Sequence, residues 1–338
     1  MVMCIDAHLG PEKWLSAEAC LPEELESVNY SDERLLVGLP LILKGETFGV
    51  LLVEEAMGGR RFRSRRLEIL NGVAQQIALA IQNDIFQRER ASRERLETEV
   101  QLARQIQETF IPKRLSAPAG WDLAARWRSA MQMSGDFYDV IHLPDGRMGL
   151  FIADVADKGI PAALFMALTR TLVRAAVLQT DSPAAALQQV NDLLYPDCEQ
   201  GMFVTAVYGA LDPVKGEFVY ANAGHNPPLW LHGGAVARLT RTGVALGVVE
   251  FAEMTERCIT IEPGDLLMFY TDGITEAFSA EGEAYGEERL IDVLKQVVRQ
   301  PASGIIDQID KEVNMFIKDY PVSDDITLIA LKRAEPGH

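Results

Sequence analysis

Between Ser64 and Ile111 the chain holds no proline and a single glycine, Gly72. Nothing in that stretch stops a helix until Pro112, which cannot continue one. At a rise of 1.5 Å per residue such a helix spans about 70 Å. Helices much longer than about 25 residues are coiled coils or connectors rather than elements of a compact domain. The stretch therefore divides the 338 residues into two parts, in keeping with a prior of about 100–200 residues per domain. Its apolar seam is Ile77, Ile81, Ile85, Leu96, Val100, Ala103, Ile106 and Phe110. Spacings of three and four fit a two-stranded coiled coil. Between Ile85 and Leu96 the seam lapses into Arg88, Ala91 and Ser92. A movable signalling linker and a mediocre helix both have this pattern.

Composition removes several classes of function. Forty-eight per cent of the residues are hydrophobic and 24% charged, which is the make-up of folded protein rather than of disorder. The formal charge of −17 counts against a nucleic-acid binder, which presents a basic face to phosphates. Cys4, Cys20, Cys198 and Cys258 are scattered and form no CxxC pair, so they read as reduced thiols rather than disulfides or a zinc site. No apolar run reaches the roughly 18 residues of a membrane span. The opening MVMCIDAHLG lacks a basic n-region. The expectation is a cytoplasmic protein. Residues 1–112 carry 13 Lys and Arg against 18 Asp and Glu, whereas 113–338 carry 19 against 31, so carboxylates concentrate after the helix.

Ahead of the helix, Leu39–Leu43 and Thr47–Glu54 read as a hairpin turning at Lys44-Gly45-Glu46. The basic run Arg60–Arg66 reads as a solvated loop and helix start. After the helix, strands are expected at 121–128, 135–142, 147–155, 202–211, 216–221, 266–271 and 325–332. Helices are expected at 161–179, 183–194, 286–299 and 303–318. Antiparallel neighbours and paired helices make this an α+β fold rather than a doubly wound parallel sheet.

Four carboxylates stand at the ends of apolar strands: Asp136 in SGDFYD, Asp154 after Leu150-Phe151-Ile152-Ala153, Asp272 after Met268-Phe269-Tyr270-Thr271, and Asp324 in Asp324-Asp325 ahead of Ile326. Singly, each is explained as a turn or cap residue, and Asp157, Asp181 and Asp265 are read that way. Together at one sheet edge they would repel one another unless protons or a cation neutralised them. Hard divalent ions such as Mg²⁺ or Mn²⁺ suit carboxylate, carbonyl and water ligands, and a pair of them can activate a water at phosphorus. Sequence separation alone does not show convergence. No thiol phosphate loop, GxSxG elbow or GxxxxGK[ST] loop is present. His225, in Asn222-Ala223-Gly224-His225-Asn226-Pro227-Pro228, reads as a turn histidine bonding the backbone rather than as a metal ligand.

These residues carry a resemblance. SGDFYD (134–139), IADVADKGIPAALFMA (152–167), NAGHNPPLW (222–230), GDLLMFYTDGITEA (264–277) and DDITLIAL (324–331) occur in the order found in the SpoIIE-type serine phosphatases. That is the bacterial branch of the metal-dependent type 2C phosphatases, and residues 113–334 resemble its catalytic domain. The resemblance implies an α-β-β-α sandwich of two antiparallel sheets. It implies two Mn²⁺ or Mg²⁺ ions on Asp136, Asp154, Asp272 and Asp324, with the Val155 carbonyl as a further ligand. It also implies direct attack of water on phosphoserine or phosphothreonine, and a phosphorylated anti-anti-sigma (STAS-type) protein as substrate. Asp325 falls outside the family's ligand pattern, and the histidine that follows the second aspartate in eukaryotic relatives is replaced within Val155-Ala156-Asp157. PLILKGETFGVLLVEE and LEILNGVAQQIALAIQN resemble the C-terminal half of a GAF sensor domain. The implied organisation is a partial GAF domain over 1–85, a connector helix over 64–111 overlapping its end, and a phosphatase domain over 113–334, dimeric through the first two. A pseudophosphatase that binds a partner without turnover is the alternative, and the presence of all four aspartates argues against it.

Overall fold

The structure, a computed structural model, describes residues 34–56, 64–198, 201–318 and 324–335. Cys4, Cys20, the opening stretch of the chain and the side chains of the basic run lie outside them. The chain forms two compact units, up to Thr98 and from Glu99 onward.

In the first unit β1 (Arg34–Leu43) and β2 (Glu46–Ala56) pair antiparallel. Their turn is only two residues, Lys44 and Gly45, both at positive φ, which matches the twist of the flanking strands. α1 (Ser64–Glu108) follows. Ala74 and Ala78 are buried beneath Leu39, Leu41 and Leu51, with Ile77 and Ile81 half-buried around them. The first members of the apolar seam thus cover the hairpin. Further on, Ile85, Leu96 and Ile106 are exposed. Across the polar gap the helix carries i,i+4 ion pairs, Asp84–Arg88 at 2.8 Å and Arg90–Glu94 at 2.9 Å, each worth a few tenths of a kcal/mol, about 0.2–0.5. The helix ends at Glu108 rather than at Ile111, because Thr109 and Phe110 turn back onto the carbonyls of Ile106 and Gln107.

The second unit consists of β3 (Trp121–Arg128), β4 (Phe137–His142), β5 (Met148–Val155), α2 (Ile160–Ala176), α3 (Pro183–Leu194), β6 (Val204–Asp212), β7 (Glu217–Ala223), β8 (Leu229–His232), β9 (Ala235–Arg238), β10 (Arg257–Thr260), β11 (Leu266–Tyr270), α4 (Asp272–Thr275), α5 (Gly286–Val297), α6 (Ala302–Ile317) and β12 (Ile326–Arg333). They form two five-stranded antiparallel sheets, ordered β10-β7-β6-β5-β4 and β3-β12-β11-β8-β9. One core gathers the inner faces of both sheets with α2 and α3; Phe218 of β7 meets Phe269 of β11 edge-on at 6.0 Å. A second core lies between the other face of the β11–β12 sheet and α5 and α6. Along β11, Leu267 and Phe269 enter the first core while Leu266, Met268 and Tyr270 enter the second. Burial on both faces is why β11 and β12 read as unbroken apolar runs rather than alternating ones. The fold is α+β, as expected.

Three strands and one helix escape the sequence reading. β8, β9 and β10 are four residues each, too short to show a period of two, and α4 is a single turn.

Candidate metal centre

Strand order brings the four aspartates together. Phe137 of β4 pairs with Ala153 of β5, so Asp136 and Asp154 stand at the same end of the first sheet. Tyr270 of β11 pairs with Leu328 of β12, so Asp272 and the Asp324-Asp325 pair stand at one end of the second. Facing edges of the two sheets therefore supply carboxylates from four separate stretches of chain.

Their electrostatics record the convergence. Burial pushes the Asp154 carboxyl up to about 7, and the negative charges of Asp272, Asp324 and Asp325 add to it, while a hydrogen bond with Asp136 works the other way. Asp136 lies well above the carboxylate range, first through burial and then through Asp154. Asp272 is raised by burial, then by Asp324 and Glu276. Carboxylates that hold one another protonated are a place where a cation is favoured over protons.

Each side chain is held by the elements around it. Asp136 is 2% exposed, and its Oδ2 accepts from Thr271 Oγ1 at 2.6 Å and Thr327 Oγ1 at 3.0 Å. Lys158 Nζ donates to Asp324 Oδ2 at 2.8 Å. Asp325 has a different task. Its Oδ1 accepts from the Ala130 amide at 2.8 Å, and its Oδ2 from Ser134 Oγ at 2.6 Å and the Gly135 amide at 3.0 Å. With three protein donors it pins the loop that delivers Asp136. Two glycines permit the close approach. A Cβ on Gly135 would lie 2.9 Å from the Val155 carbonyl, and one on Gly273 would lie 1.9 Å from the Asp325 carbonyl.

The groups that converge here offer carboxylate oxygens, which fits a hard divalent ion. Among the described residues no three side chains are arranged as a finished coordination shell. Asp136 is turned to its threonines and Asp324 to Lys158, and an ion would compete with those donors.

The other singled-out residues separate from the cluster. His225 is buried; its Nδ1 lies 2.8 Å from Thr205 Oγ1 and its amide donates to Asn222 Oδ1 at 2.9 Å. Burial pushes its ring down to about 3, so it is neutral. One ring nitrogen thus meets a hydroxyl, and a backbone hydrogen bond with Tyr270 also acts on the ring, in keeping with the expected backbone bonding. Asp265 is a turn residue, accepting from the Glu262 amide and from Trp230 and His232. Asp157 sits at φ 94 beside its own acceptor bond from the Lys158 amide and does not cap α2, whose cap position is Gly159. The cap of α3 is Ser182, not Asp181, which instead receives Arg147. Sequence reasoning missed Thr271, Thr327, Lys158, Ser134 and Gln107. A threonine directly before Asp272, and another two residues past Asp325, were the available signals.

The comparisons with known proteins agree with this fold. The profile of the family Stage II sporulation protein E (SpoIIE) matches residues 144–334, a span that starts after Asp136. Protein IcfG of Synechocystis is 34% identical over 263 residues, covering 70% of this chain and 41% of that protein. The phosphoserine phosphatase RsbU of Bacillus subtilis is 27% identical over 249 residues, 72% of each. The SiaA-PP2C domain of Pseudomonas aeruginosa superposes with a TM-score of 0.66 at 23% identity, over 72% of this chain and 98% of that one; at that identity the likeness shows the fold. The chain thus spans well under half the length of IcfG and most of that of RsbU.

Proposed function

The chain belongs to the SpoIIE family, and from that membership and the carboxylate cluster we propose that it is a metal-dependent protein serine/threonine phosphatase of bacterial signalling. The observation that carries the reading is the meeting of Asp136, Asp154, Asp272 and Asp324 at facing sheet edges, where burial and neighbouring carboxylates raise the proton affinity of Asp136, Asp154 and Asp272. These four side chains and the Val155 carbonyl are the groups that would hold two Mn²⁺ or Mg²⁺ ions. Such ions, when bound, supply Lewis acidity and an activated water for in-line displacement at phosphorus. The protein's own contribution is to fix the ligands. Thr271 and Thr327 set the orientation of Asp136, Asp325 holds its loop, and Gly273 lets α4 begin against the Asp324-Asp325 segment. Orienting groups before the reaction is the larger part of what a protein adds to metal-assisted hydrolysis.

The substrate in this reading is a phosphoserine or phosphothreonine protein, of the anti-anti-sigma STAS type that the family resemblance implies. The name of RsbU, a phosphoserine phosphatase, supports the residue chemistry. The hairpin and the first part of α1 are the end of a partial GAF sensor, and α1 is a connector through which two copies pair in the cytoplasm. Exposed Leu96, Leu102 and Ile106 on α1 support that pairing. No helix among the described residues is long and apolar enough to cross a membrane.

The test is release of phosphate from a phosphoserine protein with and without Mn²⁺. Turnover should require the ion, cease in excess chelator, and be lost in Asp272→Asn. Full activity in that variant, or in chelator, would refute the two-metal reading. Tight binding of the phosphoprotein by the wild type without turnover would establish the pseudophosphatase instead.

A further inference from the structure

Gln107 lies in the last turn of α1, between Ile106, which is exposed, and Thr109 just past the helix end, also exposed, yet Gln107 itself is only 2% exposed. It is not packed there as an apolar filler. Its Nε2 donates to the Ser134 carbonyl at 2.7 Å, and its Oε1 accepts from the Ser134 amide at 3.1 Å. The carboxamide therefore occupies both backbone groups of one residue, as a neighbouring strand would. Ser134 is two residues before Asp136, and its hydroxyl ties the segment in turn: Oγ donates to Asp325 Oδ2 at 2.6 Å and accepts from the Asp136 amide at 3.1 Å. The loop is thus gripped from two sides, by Asp325 at the start of β12 and by Gln107 at the end of the connector helix.

We propose that Gln107 is a positioning residue for Asp136, its amide clamp on Ser134 making the end of the connector helix and the metal-binding loop one mechanical piece. The proposal rests on the metal-centre reading above. Its physical basis is the cost of stranding two buried backbone groups. Without the carboxamide, the Ser134 N–H and C=O have no partner where water is excluded, and the segment opens to satisfy them. Asp136 moves with it, because one peptide plane separates the clamp from Gly135 and the next carries the ligand. The clamp is also directional. Successive residues of a helix are turned by about 100°, so a rotation of the last turn by one position takes the carboxamide off Ser134. The connector's end thereby has a means of loosening Asp136 without touching it.

The test compares the full chain with Gln107→Met, which keeps the length and packing of the side chain but not its polar atoms. Tyr138→Phe is the control: it removes a different bond at the same helix end, Tyr138 Oη to the Pro112 carbonyl at 3.0 Å, and leaves the loop's bonds in place. Two readouts are taken, amide hydrogen exchange of residues 133–136 in chelator and calorimetric titration with Mn²⁺. Gln107→Met should exchange those amides at least tenfold faster and bind Mn²⁺ about tenfold more weakly, with Tyr138→Phe like the wild type in both. Unchanged exchange and affinity in Gln107→Met, or equal losses in Tyr138→Phe, would overturn the proposal. A wild-type chain that takes up no Mn²⁺ would instead overturn the metal-centre reading, and this proposal with it.

Discussion

Adjacent residues of like chemistry do opposite work at Asp324 and Asp325. Asp324 is a third exposed and pairs with Lys158 at the surface, an arrangement worth about 0–1 kcal/mol. Asp325 is 9% exposed and takes three donors from the 130–135 loop. Replacing it with asparagine sets an amide donor either against the Ala130 N–H or against the Ser134 hydroxyl and Gly135 N–H, stranding at least one of these donors. In chelator, Asp325→Asn should lower the unfolding free energy by about 2–3 kcal/mol, while Asp324→Asn changes it by less than about 1. Mn²⁺ binding should respond the other way, with Asp324→Asn the more damaging. Urea unfolding and calorimetry on the same two proteins check this, and equal destabilisation would remove the distinction. Gly273 gives a second expectation at this scale. Its need is steric rather than conformational, since a Cβ would meet the Asp325 carbonyl at 1.9 Å. Gly273→Ala must displace α4 or β12, so it should cost about 1–3 kcal/mol and abolish phosphate release, both measurable on one preparation. The four aspartates were legible because each interrupts an apolar run. The residues that orient them were not: Thr271 and Thr327 look like ordinary strand residues, and Gln107 looks like one more polar position on a solvated helix.

Among the elements, legibility followed length and burial. β11 and β12 announced themselves as apolar runs because both faces are covered. β8 and β9 did not, being four-residue arms on either side of Gly233-Gly234. The connector shows the reverse error, in which a sequence pattern has two owners. Its seam runs on paper from Ile77 to Phe110, but Ile77 and Ile81 are half-buried under the hairpin, Phe110 packs against the core of the second unit, and Ile85, Leu96 and Ile106 are the exposed members. In the proposed pairing of two chains the contact falls on the later seam, where Leu96 is 60% exposed. A charge at each of two successive seam positions, Leu96→Glu with Val100→Glu, should convert a dimer to a monomer in sedimentation. Thermal unfolding of the second unit should stay unchanged. A variant that remains dimeric would place the interface elsewhere.

For the whole molecule the formal charge of −17 counts every carboxylate as ionised, and the fold contradicts that at one place. Asp154 is pushed up to about 7 by burial and by its neighbours, and Asp136 and Asp272 are raised as well. Between the ordinary aspartate range, about 4, and about 7, the metal-free fold keeps protons that the unfolded chain has released. Linkage then makes the metal-free protein less stable as pH rises through that window, because the folded state is the one that binds more protons. A divalent ion reverses the balance. It needs those carboxylates ionised, so its binding displaces more protons below about 7, where Asp154 is protonated, than above. The increase in Tm on adding Mn²⁺ should therefore be small at pH 5.5 and large at pH 8, while Tm in chelator falls between the same two values. Asp154→Asn should flatten both trends, since it removes the group pushed up to about 7. A Mn²⁺-induced shift independent of pH would mean that the ion enters without displacing protons, and the cluster would then not be its site. The acidity of this chain is thus two things: a solvated surface that stays charged, and a small buried set whose ionisation is held back by burial and neighbouring carboxylates and favoured by a cation.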